Sequence, residues 1–318
     1  MALVFHLAFY SVLIMAASLA GGLAPAMMRF THRALHLLMS FVAGLMLGVG
    51  VFHLWPHATE KLNYDVHAAA SWLMAGLLGM FFLIRAFHFH QHASLEPDDA
   101  QAPGSNAESE HSGCLVHDHG HHHDHDGTHS HVSHGVDPPA AHNLSWAGIG
   151  FGLTVHTLID GMALAASVQS EMSLGGTTWV AGVATFMAIA LHKPLDAMSI
   201  TTLMASSGWS RRSRMAANMA FAAMCPIGVI LFFAVESVLS ANGTFLGAAL
   251  AVSAGVFLCI SLSDLLPEIQ FHHHDRLQLS LVLLAGVLIA WGLVFIEPRH
   301  SRELQPDRQL SSVMQIEI

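Results

Sequence analysis

The chain has 318 residues, 53% hydrophobic and only 11% charged, with a mean hydropathy of +0.51. An ordinary soluble domain carries about 25% charge, so this composition cannot cover a water-facing surface and argues against a soluble enzyme. A formal net charge of −10, with 12 Lys and Arg that nowhere interleave with aromatics, argues against a nucleic-acid partner.

A membrane-crossing helix needs roughly 20 mostly apolar residues. Such spans run at about 3–28, 34–55 and 68–87, and again at about 144–168, 176–205, 214–240, 244–266 and 278–297. The expectation is an all-α integral membrane protein with eight transmembrane helices. Residues 1–87 hold spans one to three, 88–142 form a hydrophilic loop, 143–297 hold spans four to eight, and 298–318 form a polar tail. The first span lacks the basic start and small-residue cleavage site of a signal peptide, so it is expected to remain as a helix. Cys114, Cys225 and Cys259 have neither zinc-ribbon spacing nor the pattern of a disulfide framework.

Loop charge orients the spans. With both termini outside, the inner loops hold Arg29, Arg33, Arg85, Arg211, Arg212, Arg214 and Arg276, whereas the outer loops between spans hold only Lys61. The positive-inside rule then places the 88–142 loop in the cytoplasm and the 298–318 tail outside a cell membrane. That loop contains 14 of the 26 histidines, densest around His117, His119, His121, His122, His123 and His125. Its Gly, Ser, Pro and Asp content reads as disorder, and largely neutral imidazoles at this density suit weak metal buffering.

The chain also echoes itself. AGLMLGVGVFHLWPH at 43–57 and AGVFLCISLSDLLPE at 254–268 match without a gap at Ala43/Ala254, Gly44/Gly255, Leu47/Leu258, Leu54/Leu265 and Pro56/Pro267. The two spans run in opposite directions, which is the pattern of an inverted repeat and a transporter architecture; the alternative is coincidence within Ala/Gly/Leu-rich sequence.

Polar residues in lipid carry the functional signal. An Asp, Lys or Arg at the centre of a membrane helix costs about 2.5–3.5 kcal/mol on insertion scales. The fourth span nonetheless carries His156 and Asp160, and the fifth carries His192, Lys193 and Asp196. Both repeat a His followed four residues later by an Asp, which puts the pair on one helical face. Facing each other, the two spans would present two imidazoles and two carboxylates, a donor set suited to zinc or another first-row divalent ion. The bland alternative is that these groups only hydrogen-bond helices together. Pro194 is expected to kink the fifth span beside them.

The segment His156-Thr157-Leu158-Ile159-Asp160-Gly161 resembles the HN-x-x-D-G signature of the ZIP (Zrt/Irt-like) metal-ion transporters, and His192 to Asp196 is similar to their second signature. DLLPE at 264–268 and HLWPHA at 53–58 resemble the family's seventh and second helices. The resemblance implies a ZIP-like fold, with an inverted repeat of helices one to three against six to eight around helices four and five. It implies a homodimer in which helices 1, 4, 5 and 6 slide against 2, 3, 7 and 8. The transported substrate would be Zn²⁺ or another divalent ion such as Cd²⁺, Fe²⁺ or Mn²⁺, moved towards the cytoplasm with no cofactor required. His156, Asp160, His192 and Asp196 match the family's principal metal site. Thr157 stands where Asn is usual, Lys193 where many members have a carboxylate, and Cys225 where a Glu precedes the Pro-x-Gly of the sixth helix. An ammonium repels a neighbouring dication, so one metal site is expected, with Lys193 in place of a second ion. Pro194 sits one place earlier than the usual motif proline.

Two chelating pairs flank prolines at the ends of the repeat segments. His53 and His57 would lie at the outer mouth, and Asp264 and Glu268 at the inner mouth, followed by His272 and His273. They read as transient ligands or as interfacial capping groups. Two other functions remain to be weighed. A cation-diffusion exporter would have about six helices and a soluble domain after the last one. An intramembrane zinc hydrolase needs a metal-bound water and a base, and no H-E-x-x-H occurs.

Overall fold

The computed structural model describes residues 1–27, 31–87, 140–173, 180–239, 244–271 and 276–296, and these residues form helices and short turns only. In chain order the elements are α1 (Ala2–Met27), α2 (His32–Val49), a π-helical segment (Gly50–Leu54), α3 (Trp55–Lys61), α4 (Val66–Phe87), α5 (Ala140–Ser173), α6 (Val183–Ser206), α7 (Arg211–Leu239), α8 (Thr244–Phe271) and α9 (Arg276–Leu293). α2, the π segment and α3 follow one another without a break, so eight helical rods correspond to the eight expected spans.

Among the described residues, six of the rods are long and apolar enough to cross a membrane. The remaining two are α6, diluted by His192, Lys193 and Asp196, and α9, whose apolar run Leu277–Leu293 is shorter. The second span extends to Lys61 rather than stopping near 55. Pro56 cannot donate a backbone hydrogen bond, and its ring would crowd the carbonyl four residues earlier. The chain widens just upstream, where the Trp55 N–H bonds Gly50 O, five residues back, and a helix restarts with Pro56 in its first turn. α5 is also longer than expected, running to Ser173, and α6 begins only at Val183, behind a left-handed Gly182 (φ 73°).

Large apolar side chains face outward, among them Phe5 and Phe9 on α1, Phe81 and Phe82 on α4 and Ile230 on α7, while the interior is rich in Ala163, Ala166, Ala188, Ala251 and Ala254. That inversion suits a lipid solvent, in which small residues let helix backbones approach. α1 packs chiefly on α6, and α5 on α7; α2 packs chiefly on α9, and α4 on α8. The helices therefore form two groups, α1/α5/α6/α7 and α2/α4/α8/α9, joined through α5–α8 and α2–α6 contacts. Gly44 lies against the Leu283 backbone of α9, and Gly255 against the Leu73 backbone of α4, where a β-carbon would collide with a carbonyl. Gly255→Val is therefore expected to destabilise the purified protein by about 1–3 kcal/mol through overpacking. Gly79, with nothing nearby, is the control. Thermal unfolding in detergent reads both, and an unchanged Gly255→Val midpoint would contradict the close approach.

Candidate metal site

α5 and α6 bring their His–Asp pairs together. The Asp160 Oδ2 atom lies 3.3 Å from His156 Nε2 and 3.2 Å from His192 Nε2. Asp196 Oδ2 lies 3.7 Å from the first imidazole and 3.8 Å from the second. In a tetrahedral zinc site with bonds of about 2.0–2.1 Å, neighbouring ligand atoms stand about 3.3 Å apart. The four side chains are thus close to the spacing that a single ion requires. His156, Asp160 and His192 are buried, and their ligand atoms all lie within 4.8 Å of one another. Asp196 is partly exposed, at 18% of its side chain.

The hydrogen bonds sharpen this picture. His192 Nδ1 lies 2.8 Å from Ala188 O; a carbonyl only accepts, so Nδ1 carries a proton. In a neutral ring, Nε2 then points a lone pair at an Asp160 oxygen that carries lone pairs of its own. Two acceptors at 3.2 Å need a proton or a metal ion between them. Neither ring nitrogen of His156 has a hydrogen-bond partner, nor has Asp160 Oδ1, although both residues are buried. Leaving such an atom unsatisfied costs about 1–3 kcal/mol, so this donor set fits a cation.

Lys193 occupies the neighbouring position. Its buried ammonium donates to Asp160 Oδ2 at 2.5 Å, to Thr157 Oγ1 at 3.0 Å and to Asp196 Oδ2 at 3.2 Å, and lies 5.5 Å from the centre of the Phe221 ring. Thr157 passes its own proton to Leu153 O at 2.7 Å. Cys225, on α7, is buried and makes no disulfide. Lys193, Thr157 and Cys225 thus supply an internal cation, a hydroxyl that accepts from it, and a buried thiol.

Other residues singled out in the sequence lie elsewhere. His53 is buried in the π-helical segment, where Nε2 donates to Ala290 O of α9 at 2.7 Å. His57 is partly buried, with Nδ1 3.9 Å from Glu60 Oε2. Asp264 and Glu268 belong to α8, but their side chains fall outside the described residues. So do His272 and His273, and the loop residues His117, His119, His121, His122, His123 and His125.

One group escaped the sequence reading. Glu171, at 1% exposure near the end of α5, accepts from Gly182 N at 2.9 Å and from Ser167 Oγ at 3.2 Å; Thr185 Oγ1 donates to Ser167 Oγ at 2.9 Å. This cluster ties the start of α6 to α5 beyond the His–Asp pairs. The sequence reading ended this span near 168, so Glu171 fell in the expected loop.

Long apolar helices around a buried imidazole–carboxylate cluster define a class: a multi-pass membrane protein with a candidate divalent-metal site in its helical core. The chain belongs to the ZIP zinc transporter family, whose family model matches residues 5–296. It is similar to zinc transporter ZIP3 of Bos taurus, 24% identical over 284 residues that cover 84% of this chain and 87% of the relative. It is also similar to zinc transporter ZIP9 of Micropogonias undulatus, 25% identical over 292 residues covering 84% and 86%. With human zinc transporter ZIP4 it shares 25% identity over 301 residues, covering 84% of this chain and 43% of the relative. Members of this family are transporters, not enzymes, which sets aside the hydrolase reading, and the cation-diffusion reading goes with it.

Replacing Lys193 by Met would leave Asp160 and Asp196 facing each other without their internal cation. Removing one partner of a buried ion pair costs about 3–5 kcal/mol. Lys193→Met is therefore expected to unfold at a markedly lower temperature in chelator and to recover when Zn²⁺ is added. A midpoint that ignores both changes would contradict the pairing.

Proposed function

We propose that this protein carries divalent metal ions, zinc foremost, across a cell membrane towards the cytoplasm, with His156, Asp160, His192 and Asp196 as the transient ligands between α5 and α6. The observation that carries this reading is the pair of facing acceptors, His192 Nε2 and Asp160 Oδ2, at 3.2 Å within the helical core. The names of the relatives, all zinc transporters, support zinc as substrate. No cofactor enters: the ion is the cargo, and imidazole and carboxylate donors bind it firmly enough to replace hydration while releasing it more readily than thiolates would.

Lys193 sets the electrostatics of the cycle. Without metal, its ammonium holds two carboxylates together; a bound dication takes over that role, and the ammonium is repelled from Asp160 and Asp196. One metal ion at a time follows from this arrangement, with Thr157, Lys193 and Cys225 as the remnant of a second site. The excess of arginine in the loops flanking one end of the rods supports termini outside and a cytoplasmic 88–142 loop that buffers metal.

The matched segments 43–57 and 254–268 acquire meaning from the packing. Gly44 of α2 approaches α9 and Gly255 of α8 approaches α4, so corresponding glycines serve corresponding helix pairs. This reciprocity supports an inverted repeat, with α1, the α2–α3 rod and α4 answering to α7, α8 and α9. α1, α5, α6 and α7 would then carry the metal as one unit against the other group, in a homodimer. His53 and His57 would guide metal in from outside, with Asp264, Glu268, His272 and His273 receiving it inside.

Proteoliposome flux with Zn²⁺, Cd²⁺, Fe²⁺ and Mn²⁺ tests the proposal. Zn²⁺ uptake is expected in the wild type, with at least a tenfold loss in Asp160→Ala, His192→Ala and Asp196→Ala; normal flux in all three would refute the ligand assignment. Lys193→Glu is expected to raise bound zinc from one ion per chain to two, counted by elemental analysis of purified protein. Deleting 93–140 is expected to leave measurable flux and change only its regulation, and total loss would overturn the buffering role.

A further inference from the structure

A second polar site lies at the opposite end of α6 from Gly182. A cavity of about 230 Å³ opens between α1, α6 and α7, lined by Gly22, Thr201, Arg211, Arg214 and Asn218 among others. It is smaller than the few-hundred-Å³ clefts that hold drug-sized molecules, and it suits a single polar headgroup. Among the described residues no carboxylate pairs with Arg211 or Arg214, and the Nε of Arg214 is buried without a hydrogen-bond partner. Asn218 is 1% exposed; its Nδ2 donates to Leu19 O at 3.3 Å, while its Oδ1 has no partner. Thr201 spends its hydroxyl proton on Ala197 O at 3.0 Å, which leaves the oxygen as an acceptor.

These groups have a common complement. Two guanidiniums demand an anion, and both stand in the first turn of α7, where the helix dipole adds partial positive charge. Arginine favours phosphate through its forked donors. The unpartnered Asn218 Oδ1 and the Thr201 hydroxyl oxygen call for a donor beside that phosphate, such as a hydroxyl. Trp209, 37% exposed, lies two residues before α7, as aromatic residues do at headgroup level. Basic pockets between membrane helices are where acidic lipid headgroups bind.

We propose that this cavity binds a phosphate group carrying a neighbouring hydroxyl, supplied by an anionic phospholipid or by a soluble phosphate. The site belongs to one helix group and shares α6 with the metal ligands, since Thr201 follows Asp196 by little more than one turn. An occupant would clamp the ends of α1, α6 and α7 to each other. The assignment stands independently of the transported ion.

Native mass spectrometry of the delipidated full chain tests it, with phosphatidylglycerol, phosphatidylcholine and inorganic phosphate as the added probes. Wild type is expected to retain one phosphatidylglycerol or one phosphate under activation that strips phosphatidylcholine. Affinity is expected to fall at least tenfold in Arg211→Gln/Arg214→Gln, to recover in part with Arg214→Lys, and to stay unchanged in Arg212→Gln, whose side chain is outside the cavity. Retention of phosphatidylglycerol alone identifies a lipid, and equal retention of inorganic phosphate identifies a soluble anion; both uphold the site. Binding that survives the double substitution, or falls equally with Arg212→Gln, overturns it. Zinc bound by the same samples, expected unchanged, separates this outcome from any failure of the metal-site reading.

Discussion

The ammonium of Lys193, held between Asp160 and Asp196, is the contact on which the centre of the molecule depends. Two carboxylates on adjacent helices repel each other, and in a low-dielectric core they repel strongly. One buried cation donating to both converts that repulsion into a bridge between α5 and α6. The bridge fixes the helices in the register that sets His156 and His192 side by side, with ring centres 5.4 Å apart. The imidazoles are thereby aimed at the same two carboxylate oxygens. A preformed donor set of this kind spends little free energy on rearrangement when an ion binds.

The surrounding packing is shaped to the same end. Polar groups in the core concentrate on α5 and α6, with a smaller set on α1, whereas α4 and α9 present mostly apolar faces outward. Small residues bring backbones together at the α2–α9 and α4–α8 crossings, and the Glu171–Gly182 bond secures the other end of the α5–α6 connection. One helix group therefore carries the cluster while the other walls it in, chiefly through α8 and α2. Phe257 of α8, 6.4 Å from the His192 ring and almost perpendicular to it, is part of that wall.

The eight rods were legible because apolar runs of membrane length are hard to mistake, and the His–Asp pairs because four residues make one helical turn. What the sequence concealed was backbone irregularity. Nothing in VFHLWPH announces that Pro56 will be accommodated by a π turn, and that turn swings His53 onto a carbonyl of α9. Sequence spacing pairs His53 with His57; it does not show that one ring reaches a carbonyl of α9 while the other lies beside Glu60. Glu171 was obscure for a different reason: its partners are a backbone N–H after a left-handed glycine and a serine one turn away, neither of which leaves a motif. The Arg211/Arg214 cavity was invisible as a site because positive charge in a loop first reads as orientation.

Zinc K-edge X-ray absorption on the purified, stoichiometrically loaded protein reads the central arrangement directly. A first shell of nitrogen and oxygen alone at about 2.0–2.1 Å, with outer-shell scattering from two imidazole rings that drops to one in His192→Ala, is the expected spectrum. A sulfur shell at about 2.3 Å, or zinc without imidazole scattering, would contradict a metal ion held between α5 and α6.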